Sequence, residues 1–517
     1  MRYLRFIALF CCMLPMMSPG ASASPAFDPA EAGAVWGSAL AFIAPRTLEP
    51  LSMPQMAVWG LGGLTALDPD LTVRFQEGRL VLYGPDRILY AAPAPPPQNP
   101  SAWGNVCAAI AARAFAASAA LQRAGTQGVI RSFFDELFNH FDPYSRYEAP
   151  AEAARDESMR LGQDGVGLTL ARARGHVVIA RVAPDSPADD AGIREGSVVL
   201  AVNRHPVSHA SVSSLNAALT GPEGAVVEIT LRGHRGRPAS FSLACARVPV
   251  QTVFGSVRGS LAMIRITGFD RDTSAQFAAM LAGLMAAEPR PRGVVIDLRG
   301  NRGGLLRQAA LTADTLLAQG TIIRTEGRDP PANKVWHAEG ADLAQGLPVI
   351  VLVDGQTASA AEVFSAALAD NDRAVVVGSS TLGKGLVQSV TALPGGGELF
   401  VTWSRMIAPL GWPLQGLGVL PQVCTSLGID MVRRQLASLR EGRNLMARTL
   451  MQARSARAPM PLPEVLAIRD SCPAVVGGNG DLRAARTLID DPFAYRSALI
   501  PRLARRRPHA RLTRSGA

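Results

Sequence analysis

Pro348-Val349-Ile350-Val351-Leu352-Val353-Asp354 is a near-continuous apolar run that stops on an acid, and its reading decides the fold class. A strand with one face in water alternates apolar and polar residues, whereas a strand covered on both faces reads like this one. Gly293 to Leu298 and Arg373 to Gly378 have the same texture. Segments of helical composition, Ser274 to Ala287 and Ser359 to Ala369, respectively precede the first of these runs and separate the last two. Strands and helices in alternation predict an α/β core over Thr252 to Val423.

Working outward, the texture before the core changes to short alternating strands with turns, from Gly162 to Val248. Gly165-Val166-Gly167-Leu168 comes first, then Val177 to Ala180, Gly196 to Asn203 and the period-two strand Val227 to Arg232. This arrangement resembles a PDZ domain. In that family such a loop points backbone N–H groups at a peptide's terminal carboxylate, and the peptide joins the sheet edge as a strand. The resemblance makes Gly165, Val166, Gly167 and Leu168 the expected peptide-binding residues. Further upstream, the Pro-rich stretch 93–100 reads as a linker, and Val106 to Gln122 is Ala-rich and predicted helical. A faint repeat spans that linker: Trp36-Gly37 leads to Asp68-Pro69, and Trp103-Gly104 leads to Asp142-Pro143.

The chain has 517 residues, 48% hydrophobic and 18% charged, which suits several packed domains and excludes a disordered or fibrous protein. Its net charge of +10 is concentrated at one end, because 496–517 holds many Arg and no acid. No basic face for nucleic acid is implied elsewhere. Of the 52 basic residues only Lys334 and Lys384 are lysine, so a lysine here draws attention. Arg2 and Arg5, an apolar stretch broken by Pro15, and Ala21-Ser22-Ala23 read as a secretory leader. Export to the periplasm is therefore expected, with peripheral membrane association left open. Beyond that leader the cysteines are Cys107, Cys245, Cys424 and Cys472, with no metal-binding spacing. A Cys424–Cys472 disulfide suits an oxidising compartment, and two free buried thiols are the alternative.

Lys384 lies in Gly383-Lys384-Gly385 after a predicted strand. The preceding residues fit a phosphate loop's G-x-x-x-x-G-K, but Gly385 stands where a magnesium-holding hydroxyl is needed, so no nucleotide is expected. An S-x-x-K arrangement fails because position 381 is Thr and position 331 is Pro. A serine hydrolase with lysine as base remains. No histidine occurs between 338 and 508. Ser359 opens a helix directly after the buried run, where backbone N–H groups can hold an oxyanion. The plain alternative is a helix cap, with Glu362 completing a capping box.

Thr357-Ala358-Ser359-Ala360-Ala361-Glu362 and Gly383-Lys384-Gly385-Leu386-Val387-Gln388 together resemble the C-terminal processing (tail-specific) serine peptidases. The family's nucleophile and lysine stand 25 apart, as do Ser359 and Lys384, with a glutamine four residues on, here Gln388. Asp297 to Gly304, Gln415 to Pro421 and Phe141 to Ser145 match further family marks. Arg302, Leu382 and Ala361 depart from them, standing where proline, phenylalanine and serine are common. The resemblance implies a mixed α/β fold, with a PDZ domain inserted between a helical N-terminal region and a crotonase/Clp-protease-like peptidase core. The expected divisions are a leader 1–23, an N-terminal region 24–92, the linker 93–100 and a helical part 101–160. A PDZ domain 161–248, the core 249–424, a helical region 425–495 and a basic tail 496–517 follow. Ser359 would attack, Lys384 would act as uncharged base, Gln388 would orient its amine, and the N–H groups of Ala360 and Gly303 (or Gly304) would hold the oxyanion. Neither cofactor nor metal is implied. The partners are protein or peptide substrates with free apolar C-termini, and a homo-oligomer stays open. The alternative function is a catalytically silent peptide- or lipid-binding protein on the same fold.

Overall fold

The computed structural model describes residues 26–161, 163–208, 210–232 and 237–499. The expected leader, and the basic tail from residue 500 on, lie outside the described residues. The described residues divide into two compact units, one comprising 26–44, 51–147 and 393–395, the other the rest of them.

The first unit contains helices Met53–Leu67, Pro100–Ala117 and Ala119–Asn139, most of Pro29–Arg46, and a three-stranded antiparallel sheet. Trp36 and Trp103 are fully buried in it, and Trp36 stacks on Phe133 at 4.5 Å between ring centroids. The predicted helix over 106–122 is interrupted at Ser118. Its hydroxyl accepts the Leu121 N–H (3.2 Å) as an N-cap, and the backbone there is extended. The Pro-rich stretch 93–100 is not a linker between domains, because it lies inside this unit. Pro93 ends a strand, Trp103 Nε1 donates to the Pro96 carbonyl (3.2 Å), and Asn99 caps the helix that Pro100 begins.

The second unit contains the PDZ-like segment. Its strands are β1 (Leu168–Ala173), β2 (His176–Val182), β3 (Val198–Val202), β4 (Val226–Arg232) and β5 (Pro238–Ala244), with helix α1 (Val212–Ala217) between β3 and β4. They pair in the order β5-β4-β3-β2-β1, which leaves β1 at an edge. Val166, Ile179, Leu219 and Ile229 fill the core between the layers. Where the chain enters and leaves this segment, Gly165 pairs antiparallel with Ala246.

The main sheet is built from β6 (Val253–Arg258), β7 (Leu261–Ile266), β8 (Gly293–Asp297), β9 (Val349–Val353), β10 (Ala374–Gly378) and β13 (Val423–Cys424), paired in that order. All pairs are parallel except β6 with β7. Successive residues face opposite layers. Val349, Val351 and Val353 pack with helix α2 (Ala360–Asp370), while Ile350 and Leu352 pack with C-terminal helices such as α3 (Ile429–Arg440) and α5 (Asn479–Asp490). Every residue of β9 is therefore buried, which is the physical cause of its unbroken apolar reading. A second, antiparallel sheet contains β11 (Leu386–Ala392) and β12 (Glu398–Ile407). The helical region expected over 425–495 breaks between Glu441 and Met446.

Cys424, at the end of β13, is disulfide-bonded to Cys472, which follows helix α4 (Leu462–Asp470). The link spans a sequence separation of 48 and so restricts a sizeable unfolded loop. Replacing both cysteines with serine should lower stability by roughly 2–4 kcal/mol. Guanidinium unfolding of the oxidised protein and the double variant checks this, and coincident curves would show that the link contributes nothing.

Candidate active site

The turn after β9 is fixed before it reaches Ser359. Asp354 Oδ1 accepts the N–H groups of Gly300, Gln356 and Thr357, each at 3.0 Å. Thr357 Oγ1 donates to the Leu298 carbonyl (3.0 Å), and the Ala358 N–H donates to the Asn301 carbonyl (2.9 Å). The chain then enters Ser359 at φ +57°, ψ −120°, a conformation that non-glycine residues avoid and that costs about 1–3 kcal/mol. Ser359 is 8% exposed. The cap reading is half right. Glu362 Oε2 accepts the Ser359 N–H (2.7 Å), but the Glu362 N–H runs to the Ser359 main-chain carbonyl (2.8 Å), and the hydroxyl makes no capping bond.

Glu362 does far more than close a cap. Its side chain is completely buried, and Oε2 also accepts the Lys384 N–H at 2.9 Å. Oε1 accepts the Gly383 N–H (2.7 Å) and the Thr381 hydroxyl. Burial pushes the carboxyl pKa up, and these four donors, which favour the anion, oppose that rise. The sequence marks this residue only as the capping-box partner of Ser359, whereas the structure buries every position of its helix.

Lys384 is half-buried, on a loop stitched to its neighbours on both sides. The Leu382 N–H donates to the Thr357 carbonyl (2.9 Å), and the Gly416 N–H to the Gly383 carbonyl (2.9 Å). The Gly385 N–H donates to Gln415 Oε1 (2.9 Å). Gln388 follows on β11 at a shift of register against β12, where a strand re-aims its side chains. Its Nε2 donates to Thr402 Oγ1 (3.0 Å), which fixes the orientation of the amide.

Gly303 lies against the loop that carries Ser359. It adopts φ +98°, and a Cβ there would stand 2.8 Å from Ser359 Cβ and 2.9 Å from the Ala360 nitrogen. Its N–H, however, donates to Asn301 Oδ1 (2.8 Å), so in this conformation it is not turned to an oxyanion. The Ala360 N–H stands in the first turn of α2, where no carbonyl lies four residues back within the helix. Arg299 braces the same loop by pairing with Asp297 (2.7 Å) and Asp481 (2.9 Å). Burial alone would raise the Asp297 carboxyl, but the Arg299 guanidinium outweighs it and holds that pKa below the usual range.

The expected peptide-binding loop borders a cavity of about 480 Å³, lined by Gly165, Gly167, Leu168 and Arg181 and by Val248 to Gln251. Val166 departs from expectation: it is fully buried, and its N–H is spent on the Leu219 carbonyl (3.1 Å). Gly165 is held in the ladder with Ala246. Gly167, at φ +80°, and Leu168 line this cavity. Among the described residues, Glu148, Asp156 and Glu398 bring carboxylate oxygens within 4.8 Å of one another, and none belongs to the loops around Ser359.

Sequence reasoning also missed the contribution of the C-terminal segment to the site. Arg469, at the end of α4, donates to the carbonyls of Leu417 (3.0 Å) and Gly416 (3.3 Å), behind the lysine loop. Ser380 Oγ donates to the Cys472 carbonyl (2.6 Å), and the Gly355 N–H to that of Val475 (2.8 Å). No local pattern in 462–481 signals these contacts.

Residues 260–425 match the model of peptidase family S41, and residues 178–233 that of the PDZ domain. The chain is 29% identical over 302 residues to a carboxy-terminal-processing protease of Bartonella bacilliformis, covering 57% of this chain and 69% of that one. It is 30% identical over 322 residues to the chloroplastic C-terminal processing peptidase of Tetradesmus obliquus, covering 58% of this chain and 68% of that one. The solved photosystem II D1 C-terminal processing protease is 28% identical, with a TM-score of 0.35 and coverage of 60% and 86%. With its PDZ domain ahead of an S41 domain, the chain belongs to the C-terminal processing peptidases, a family of serine-type proteases.

Proposed function

We propose that this chain is an exported serine endopeptidase that cuts proteins at or near their C-terminal tails with a Ser359–Lys384 dyad. One observation carries the reading: a single buried oxygen, Glu362 Oε2, receives the main-chain N–H groups of both Ser359 and Lys384. Nucleophile and base, 25 residues apart in sequence, are thereby held to one point. Ser359 Oγ attacks the scissile carbonyl carbon while the neutral Lys384 amine takes its proton. The ammonium returns that proton to the leaving amine, and a water deprotonated by the same lysine then hydrolyses the acyl-serine. Gln388, its Nε2 held by Thr402, presents Oε1 to orient the amine. The Ala360 N–H, with Gly304 as the second donor, receives the oxyanion.

The Gly167–Leu168 loop and the cavity beside it would take the substrate's terminal carboxylate, and β1 its extended tail. Export is supported by the basic and apolar start of the chain and by the Cys424–Cys472 disulfide, which suits an oxidising compartment. No helix among the described residues is long and apolar enough to cross a membrane.

Ser359→Ala and Lys384→Arg should each lower peptide cleavage about 10⁴-fold or more, the second because guanidinium stays protonated. Both should fold normally, and near-wild-type turnover by the arginine variant would sink the lysine base. A fluorophosphonate probe should label Ser359 covalently, whereas a binding protein would stay unlabelled. Glu362→Gln turns an NH₂ group toward at least one main-chain N–H donor whichever way the amide is set and should cost about 1–3 kcal/mol, read by denaturant titration, together with turnover. In the PDZ segment, a Cβ at Gly167 would fall 2.2 Å from Ser186 Cβ and Oγ. Gly167→Val should therefore abolish the preference for a free-acid peptide over its amidated twin while probe labelling of Ser359 persists.

A further inference from the structure

An edge strand turns the N–H and C=O of alternate residues outward, where an added strand can pair with them. On β1 the Gly167 carbonyl faces inward, accepting the Ala183 N–H from the end of β2 at 2.8 Å. Leu168 and Leu170 are then the outward residues. Leu170 is already paired, and by a side chain. Its N–H donates to Asn216 Oδ1 (2.8 Å), and its carbonyl accepts from Asn216 Nδ2 (3.2 Å). Asn216 stands in the last turn of α1, the helix flanking this edge.

A primary amide offers one carbonyl and one N–H in a plane, as a peptide unit does. Asn216 thus makes the two bonds that an antiparallel strand would make with Leu170. A tail whose carboxylate rests on Gly167 and Leu168 would place its last residue beside Leu168. Its third-from-last residue would then fall beside Leu170, since outward positions recur every second residue. That is where the Asn216 amide lies.

We propose that Asn216 is a specificity-determining residue of the tail groove: it stands in for substrate main chain at Leu170, and a tail must displace it to be read beyond its last two residues. The inference rests on the PDZ reading above. Displacement exchanges two hydrogen bonds for two others, so the third residue contributes little net affinity. Selection falls on the carboxylate and the final two side chains. The same stand-in satisfies the edge when no tail is bound, which guards against indiscriminate strand addition. Asn216 is not needed to seat the helix, because Leu215 and Leu219 are themselves buried in the PDZ core.

The test uses the full-length protein carrying Ser359→Ala, so that bound peptides survive. Binding is measured for a fluorescent peptide with a free apolar C-terminus, its amidated twin, and a twin N-methylated at the third-from-last residue. Adding Asn216→Ala should tighten the free-acid peptide about tenfold, the weight of two net hydrogen bonds. The N-methylated twin should gain nothing. Unchanged or weaker binding of the free acid, or an equal gain by the N-methylated twin, would overturn the stand-in while a persisting acid-over-amide preference left the tail reading intact. Loss of that preference in the Asn216 parent would instead remove the tail reading, and the inference with it. A measurement on the parent protein alone stands apart from whether the variant folds. Hydrogen exchange at the Leu170 amide should be slow before any peptide is added, and fast exchange there would also overturn the proposal.

Discussion

The Glu362 carboxylate is completely buried and takes hydrogen bonds from Ser359, Gly383, Lys384 and Thr381, which uses every acceptor position two oxygens have. A neutral acid would have to turn an O–H at one of those donors, so the ligation calls for the anion even as burial disfavours it. Its place in the first turn of α2 adds the favourable end of the helix dipole. Three of the donors are main-chain groups that would otherwise be buried without partners, a cost of about 1–3 kcal/mol each. The strained φ of Ser359 persists because its N–H is held there and because Ala358, one residue earlier, is fixed to Asn301. The carboxylate is therefore the frame on which two loops from different strands are aligned.

The second support comes from the far end of the chain. The S41 match closes at residue 425, yet the lysine loop rests on residues 469 to 475. Ser380 gives both its N–H and its hydroxyl to the Cys472 carbonyl, and the disulfide ties that residue to the end of β13. Arg469 reaches the carbonyls of Gly416 and Leu417, so the segment that backs Gly383 is held from behind. These contacts explain why the C-terminal helices belong to the peptidase unit and not to a separate domain. They cover the second face of the sheet and brace one of its functional loops together.

The core was legible because burial writes itself into composition: β8, β9 and β10 are apolar throughout since both faces are covered. Ser359 and Lys384 were singled out by residue type together with a spacing that has meaning only through the family resemblance. Glu362 was visible only as a local cap, because the donors it gathers from 381 to 384 are brought to it by the fold and not by sequence. The resemblance named Gly303 as an oxyanion donor, but the acceptor of its N–H depends on the rotamer of Asn301, which no spacing encodes. Val166 was misassigned for a similar reason. A G-x-G-x pattern shows where a loop turns, but not that one of its N–H groups is consumed by Leu219, more than fifty residues later.

The PDZ segment and the Ser359 loop are joined by a short chain of hydrogen bonds. Gln251 lines the cavity beside Gly167, and the next residue is pinned in the core: the Thr252 N–H donates to Gln276 Oε1 (2.9 Å), and its carbonyl accepts the Thr267 N–H (2.9 Å). Val253 pairs with Ile266, whose carbonyl accepts from Asn301 Nδ2 (2.9 Å). The Asn301 carbonyl in turn accepts the Ala358 N–H, one residue before Ser359. Every link is a main-chain or neutral side-chain group, so neither salt nor ordinary pH weakens it as it would an ion pair. The wall of the cavity beside Gly167 and the backbone at Ser359 are thus linked through the same strands.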